Sequence, residues 1–421
     1  MKKIILWSIV SLVIVGIAVD AFLWLHKPQV IQLDKNTKLT LLGVDYGKHH
    51  RPPALKLKGG RRAGQSFDTT NETLVIWILD ETKGNQRYGW QALVSDRAQT
   101  GAVMSWANRW DQAGANRQIA AVQLDAFPRR DSKFFMRFMS WGGNGQHVSK
   151  DQFVISNPAR DKSFSQWTPE PIPDTQSDGD LSVTLTKCVF GAEGFGGREL
   201  PPKDPANKAV ATAFHCEQNG HTVTNWQPVR IETSDATGNH VQNNSWSNGR
   251  DDNGDATMTY QWGLWPGQTP WKLDVEMSRT SGFNDDEIWA IANLPVNPGK
   301  QMDFWNYGNN NRAGAPFAET TLNGVHLKIY PAVQFTDQNF NGQKMGGFRV
   351  IADPPPPDGF RMSLASATDE NGRVIQSWNP SWGGGNYGFQ IQNLRNAKFL
   401  NLTIALHKSR FVEFTVNPAR Q

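Results

Sequence analysis

Charge, cysteine and helix-forming stretches are all scarce in this 421-residue chain, and each scarcity excludes something. Only 19% of the residues are charged and the formal net charge is +4, too weak a surplus to imply a nucleic-acid partner. Two cysteines, Cys188 and Cys216, lie too far apart in sequence for a CxxC redox or zinc motif. No lipobox cysteine stands near the N-terminus. No G-x-S-x-G elbow, H-E-x-x-H helix, P-loop or dinucleotide fingerprint occurs, so no residue is assigned to catalysis and no cofactor is expected. Long Ala/Leu/Glu/Lys stretches are missing too, while Gly reaches 38 and Pro 24, a profile of turn-rich β structure.

What is present is repetition. Trp90 opens a strand that ends at Asp96, followed by Gly101, Val103 and the pair Ser105, Trp106. Trp226 opens another that ends at Asp235, followed by Gly238, Val241 and Ser245, Trp246. Phe360 opens a third that ends at Asp369, followed by Gly372, Val374 and Ser377, Trp378. Fixed-period self-similarity identifies repeated structural units, and further strands recur around these motifs. Two copies close on the same tetrapeptide, at Asn157 to Arg160 and at Asn417 to Arg420. Apolar Trp271, Leu273, Val275 and Met277 alternate with Lys272, Asp274 and Glu276, the period-two signature of a half-buried antiparallel sheet.

About seven such strands per unit predict an all-β chain of three tandem antiparallel β-sandwiches, at residues 36–160, 181–296 and 321–421. The layout resembles immunoglobulin-like or fibronectin-III-like modules, without the inter-sheet cysteine pair in the first and third units. The last strand of the second unit is expected at 288–291 and that of the third at 411–416. Residues 161–180 and 297–320 read as linkers, long for connections inside a domain. Trp167 in the first, and Phe304 and Trp305 in the second, suggest that they dock on a sandwich. Residues 47–67 and 191–208 read as loops where the copies differ.

Residues 1–26 read as an N-terminal transmembrane signal-anchor. An apolar run opens at Ile4 and closes at Leu25, interrupted only by Asp20, and is long enough to span a bilayer as a helix. Val19 and Ala21 also offer a signal-cleavage site, which would give a secreted protein instead. Lys2 and Lys3 favour a cytoplasmic N-terminus, making everything after residue 26 extracytoplasmic. Cys188 and Cys216 then fall in an oxidising compartment and are expected to form a disulfide.

Several constellations invite a functional reading. Trp106, Trp246 and Trp378 recur at one position and are expected to plug the cores. Trp110 and Trp382, their neighbours, are candidates for stacking against sugar rings, and Trp262 with Trp265 adds a pair. Asp251, Asn253 and Asp255 alternate oxygen donors as a calcium loop does, but the rest of that motif is missing, so a hairpin turn is the expected role. The acidic Asp285, Asp286 and Glu287 are read the same way. Lys48, His49, His50, Arg51, Lys56, Lys58, Arg61 and Arg62 form a basic stretch suited to solvent or to an anionic surface. Asp96, Asp235 and Asp369 sit where hairpins need an aspartate. The expected role is structural or interaction-based at the cell envelope, with a protein or polysaccharide partner. A carbohydrate-binding protein and a hydrolase with an inter-domain site are the alternatives.

Overall fold

A computed structural model describes residues 28–53, 65–83, 89–114, 116–142, 145–160, 162–193, 204–242, 246–299, 315–337, 343–376, 381–383, 385–392, 394 and 397–421. The anchor segment, the linker residues Phe304 and Trp305, and Trp378 lie outside them. Among the described residues no helix is long and apolar enough to cross a membrane. The chain is almost all β, in antiparallel sheets with two short parallel pairings; single 3-10 turns at Pro205–Asn207, Pro266–Gln268 and Asp285–Glu287 are the helical pieces described.

One strand order occurs in each third of the chain. In the first, Thr37–His50, Phe67–Thr82, Arg117–Leu124 and the far half of Ala102–Gly114 lie side by side. The near half of Ala102–Gly114 pairs with Trp90–Ser95, which continues to Lys133–Gly142 and Phe153–Ser156. In the second, Leu181–Glu193, Lys208–Gln218, Ala256–Gln261 and Trp246–Arg250 make one layer. His240–Gln242, Trp226–Asp235 and Trp271–Arg279 make the other. In the third, Val325–Asp337, Gln343–Asp353, Asn386–Ile391 and Ser381–Gly383 form the first layer, and Phe360–Asp369 with Phe399–Lys408 the second.

The seventh strand breaks the pattern. In the first third, Phe153–Ser156 returns to its own Lys133–Gly142. The strand Ile288–Pro298, expected to close the second unit, instead pairs with Phe399–Lys408 of the third, Ile288 opposite Ala405 and Leu294 opposite Leu400. Arg410–Val416, expected to close the third, pairs with Trp271–Arg279 of the second, Trp271 opposite Val416 and Met277 opposite Arg410. Ala419–Arg420 then runs parallel to Val189 and Phe190. The second and third units thus exchange their last strands, and the pairings cross the expected limits at 296 and 321. The exchange preserves the interior, because either strand presents alternate apolar residues to the layer that it completes; Val412, Phe414 and Val416 are buried in the second unit's core.

The cores follow the same division. One continuous apolar cluster spans the first and second thirds, from Leu39, Trp90 and Phe134 to Leu185, Phe214, Tyr260 and Trp271. The third has its own, including Leu327, Phe348, Phe389, Leu402 and Ile404. Each large side chain taken out of water there contributes about 1.5–3 kcal/mol.

Four sequence expectations need correction. Residues 47–67 are not one loop, since Thr37–His50 continues through Lys48 and His49 and pairing resumes at Phe67. Residues 191–208 are likewise shortened, by strand to Glu193 and a 3-10 turn from Pro205. The linker 161–180 is partly strand: Asp174–Asp178 pairs with Leu181–Leu185, Glu170 donates its backbone N–H to Thr415, and Trp167 lies under the Lys272 ammonium at 5.3 Å. Finally, Cys188 and Cys216 are free and buried, not bonded. They occupy adjacent strands, but Cys188 faces Thr212 and Cys216 faces Val183. Four positions of offset is about 13 Å at about 3.3 Å per residue, beyond the roughly 7 Å Cα separation that a disulfide allows. Burial raises the two thiols to about 12 and about 11, so neither is a thiolate near neutrality.

Candidate binding cleft

The three recurring aspartates are consumed by their turns. Asp96 accepts from the backbone N–H and hydroxyl of Thr100, at 2.6 and 2.7 Å. Asp235 accepts from Thr237 N–H and Oγ1 and from both nitrogens of Asn239. Asp369 accepts from Asn371 N–H and from Arg373 backbone and Nε. Burial raises Asp96 and Asp235 above the usual carboxylate range; it works the same way on Asp369, where the Arg373 bonds hold the carboxyl below it.

The metal candidates form a hairpin. Asp251 Oδ1 accepts from the N–H groups of Asn253 and Asp255, each at 3.0 Å. Asp255 turns away to His215, 3.0 Å off, and to Thr186, which donates to it at 2.8 Å. Among the described residues no three His, Cys, Asp or Glu side chains converge on a metal position. Glu287 of the acidic trio is fork-bonded to Arg279 at 2.5 and 2.7 Å. In the basic stretch, His49 pairs with Asp68 in solvent, while His50 is buried against the Phe67 ring. Lys56, Lys58, Arg61 and Arg62 lie outside the described residues.

Trp110 and Trp382 are placed by their backbones alone, opposite Ala120 and Tyr387; their side chains lie outside what is described, as does that of Trp246. Trp106 is described, and it corrects the core-plug expectation: it is 53% exposed. It pairs with Gln91 ahead of the register break between Ala107 and Arg109, on the face of its strand shared with Ala102 and Met104 and opposite to core-facing Val103, so Trp106 emerges at the seam between the first and second thirds.

There it lines a cleft of about 300 Å³ with Ser105, Asp125, His240, Gln242 and Trp262, over a floor that includes Val103 and Ala126. Ser105 Oγ donates to the Gln123 carbonyl at 2.8 Å, and His240 Nε2 sits 3.0 Å from Glu232 Oε2. Trp262 has φ of +60°, left-handed backbone that an aromatic residue rarely adopts. The next residue, Gly263, fixes the turn: a Cβ there would meet Val210 Cγ2 at 2.5 Å. Close by, the seam is locked. Asn239 Oδ1 accepts from Phe127 N–H and Arg129 Nε, and Arg137 forks onto Asp204 at 2.7 and 2.5 Å. Burial raises Asp204, but the Arg137 bonds hold its carboxyl below the usual range. The segments that make this cleft are separated by up to about 160 positions (103 to 262), so spacing could not reveal it; only the Trp262–Trp265 pair pointed there. Trp265 itself is buried.

The second seam carries a different cluster. Glu276, placed on the polar face by its alternation, is only 5% exposed and receives Arg361 Nε and Nη2 at 2.5 and 2.7 Å, Ser409 Oγ at 2.7 Å and Arg230 Nε at 3.0 Å. Burial opposes its charge, yet these partners hold it below the usual carboxylate range. Beside it, His407 Nε2 lies 3.4 Å from Ser278 Oγ and 3.2 Å from Ser363 Oγ. This resembles a nucleophile and base, but His407 is fully buried, its Nδ1 meets no carboxylate, and burial with the nearby Arg279 lowers it to about 4. A hydrolytic base needs a third group to orient it and access to substrate. Compared with known families and with curated proteins, the chain matches no family model and no curated relative.

Proposed function

We propose that this chain is a membrane-tethered, extracytoplasmic protein whose three immunoglobulin-like or fibronectin-III-like sandwiches serve a structural or interaction role at the cell envelope. The units are taken at 36–160, 181–296 and 321–421, with the apolar run from Ile4 to Leu25 as the anchor. The observation that supports it most is the interlocking of the units. One core is continuous across the first two, and the last strands of the second and third are exchanged. Beads on flexible linkers would have neither; a body that transmits load or holds a partner in fixed register profits from both.

The test is fractionation of cells making the full chain. It is expected to sediment with membranes, to resist extraction by salt and alkaline carbonate, to dissolve in detergent, and to be cleaved by protease added from the outer face. Recovery as a soluble intracellular protein would overturn the reading. Recovery as a secreted protein lacking its first 21 residues would replace the anchor with a cleaved signal.

A further inference from the structure

We infer that the cleft between the first and second thirds is a binding site for a neutral saccharide, stacked on Trp106 and bordered by Trp262. The inference goes beyond the envelope role and does not depend on it.

Among the described tryptophans, Trp106 alone is more than half exposed, and it lines a recess of this seam. An exposed indole face suits the CH-rich face of a pyranose ring. Trp262 supplies a second aromatic wall from a left-handed backbone position, and strain of that kind persists where the surroundings over-determine it, often at ligand sites. Gly263 and the small apolar cluster of Leu93, Ala102, Met139 and Ala206 hold that wall in place before any ligand arrives, which reduces the ordering cost of binding.

The polar groups decide the ligand class. Asp125, Gln242, Gln261 and His240 supply donors and acceptors around the recess, the pattern that reads ring hydroxyls. Among the described residues no lysine or arginine lines it, so none of them would compensate a phosphate, sulfate or uronate. About 300 Å³ is the low end for small-molecule clefts and fits one or two sugar rings, not a folded partner.

The experiment is titration of the full-length chain, held in a detergent without a sugar headgroup, with neutral gluco-, manno-, xylo- and N-acetylglucosamine oligosaccharides. Tryptophan fluorescence and calorimetry are the readouts. Polygalacturonate fragments and a proline-rich peptide serve as competitors. At least one neutral oligosaccharide is expected to bind saturably. Trp106→Ala should weaken it about tenfold or more, with the circular-dichroism spectrum showing that the fold is kept; Trp262→Phe should weaken it less. Three results would overturn the assignment: no saturable binding of any neutral oligosaccharide up to about 10 mM; binding that Trp106→Ala leaves intact; or displacement by the anionic fragments or the peptide in preference to the sugars. All three leave the membrane-fractionation result untouched.

Discussion

The two seams of this molecule join similar units by opposite means. Between the first and second thirds, apolar surface is continuous, and polar contacts such as the Asn239 bonds to Phe127 and Arg129 and the Arg137–Asp204 fork lie beside it. Between the second and third, two cores stay separate, strands are exchanged, and a buried carboxylate, Glu276, gathers two arginines and a serine. The apolar seam is tolerant of shape, so it can leave a recess and an exposed indole without cost to its hold. The ionic seam is not: a buried charge must be satisfied or it destabilises. The first seam therefore has room for a ligand, whereas the second is a clasp.

Removing the C-terminal strand tests the exchange most severely. Truncation before Arg410 strips Val412, Phe414 and Val416 from the second unit's core, at about 1.5–3 kcal/mol each. The sum rivals the stability of a whole domain, about 5–15 kcal/mol. Hydrogen exchange should then show lost protection in Trp271–Arg279 while Phe399–Lys408 stays protected by Ile288–Pro298. Loss centred on Phe399–Lys408 would restore the unexchanged arrangement.

Glu276→Ala comes next. It leaves Arg361 and Arg230 at the seam without their carboxylate, a change that costs about 3–5 kcal/mol when one partner of a buried pair is removed. Denaturant unfolding should show it. Arg137→Ala at the other seam removes one partner of a single ion pair rather than the carboxylate shared by two arginines and a serine, and should cost less. Equal losses would erase the distinction between the seams.

Acid should also find the second seam first. His407 has its folded pKa lowered from 6.5 to about 4. The unfolded chain binds the proton first, so stability is complete above about pH 6.5 and falls as the pH drops through 4, by about 3 kcal/mol in total. Glu276, also lowered, adds to the loss at the acid end of that window. His407→Gln should flatten the profile between pH 6.5 and 4; an unchanged slope would refute the assignment.

Much of this fold could be read from the sequence, and the failures share a cause. The alternation in Trp271–Arg279 identified a strand and its inner face, because burial on one face leaves a local pattern. Which strand completes which layer is not local. Arg410–Val416 carries the right pattern for either core, and nothing in its residues declares the partner. Glu276 looked like an outer-face residue because a neighbouring unit, invisible to periodicity, covers that face. Trp106 looked like a core residue because its copies recur, yet it falls on the face of its strand opposite to core-facing Val103. Recurrence identified the turn aspartates correctly and misjudged Trp106, since a hydrogen-bonded turn is fixed by its own few residues and a side chain's direction is not.

Gly101→Ala probes the apolar seam at smaller scale. A Cβ there would meet the Phe190 ring at 2.5 Å, across the boundary between the first and second thirds. Overpacking of this kind costs about 1–3 kcal/mol, lessened if the ring swings aside. A fall in melting temperature is expected, along with altered ligand response if the recess shifts. No change would mean that the seam yields more readily than its continuous core implies.

The smallest effect belongs to a place that neither seam touches. Asp251 accepts two backbone N–H bonds in its hairpin, so Asp251→Ala should cost about 1 kcal/mol through the turn alone. A turn and a calcium loop make different demands on the same residue. If Asp251, Asn253 and Asp255 held calcium, adding the ion at 100 times its Kd would stabilise the chain by about 2.7 kcal/mol, and a chelator would remove that gain. Asp255 is already committed to His215 and Thr186, which leaves the set short of the six or more oxygens that calcium takes. Melting temperature is therefore expected to be the same with calcium and with chelator, and to drop equally in both for Asp251→Ala. A calcium-dependent rise that this substitution abolishes would turn the hairpin into a metal site and give the molecule a third point of control, independent of both seams.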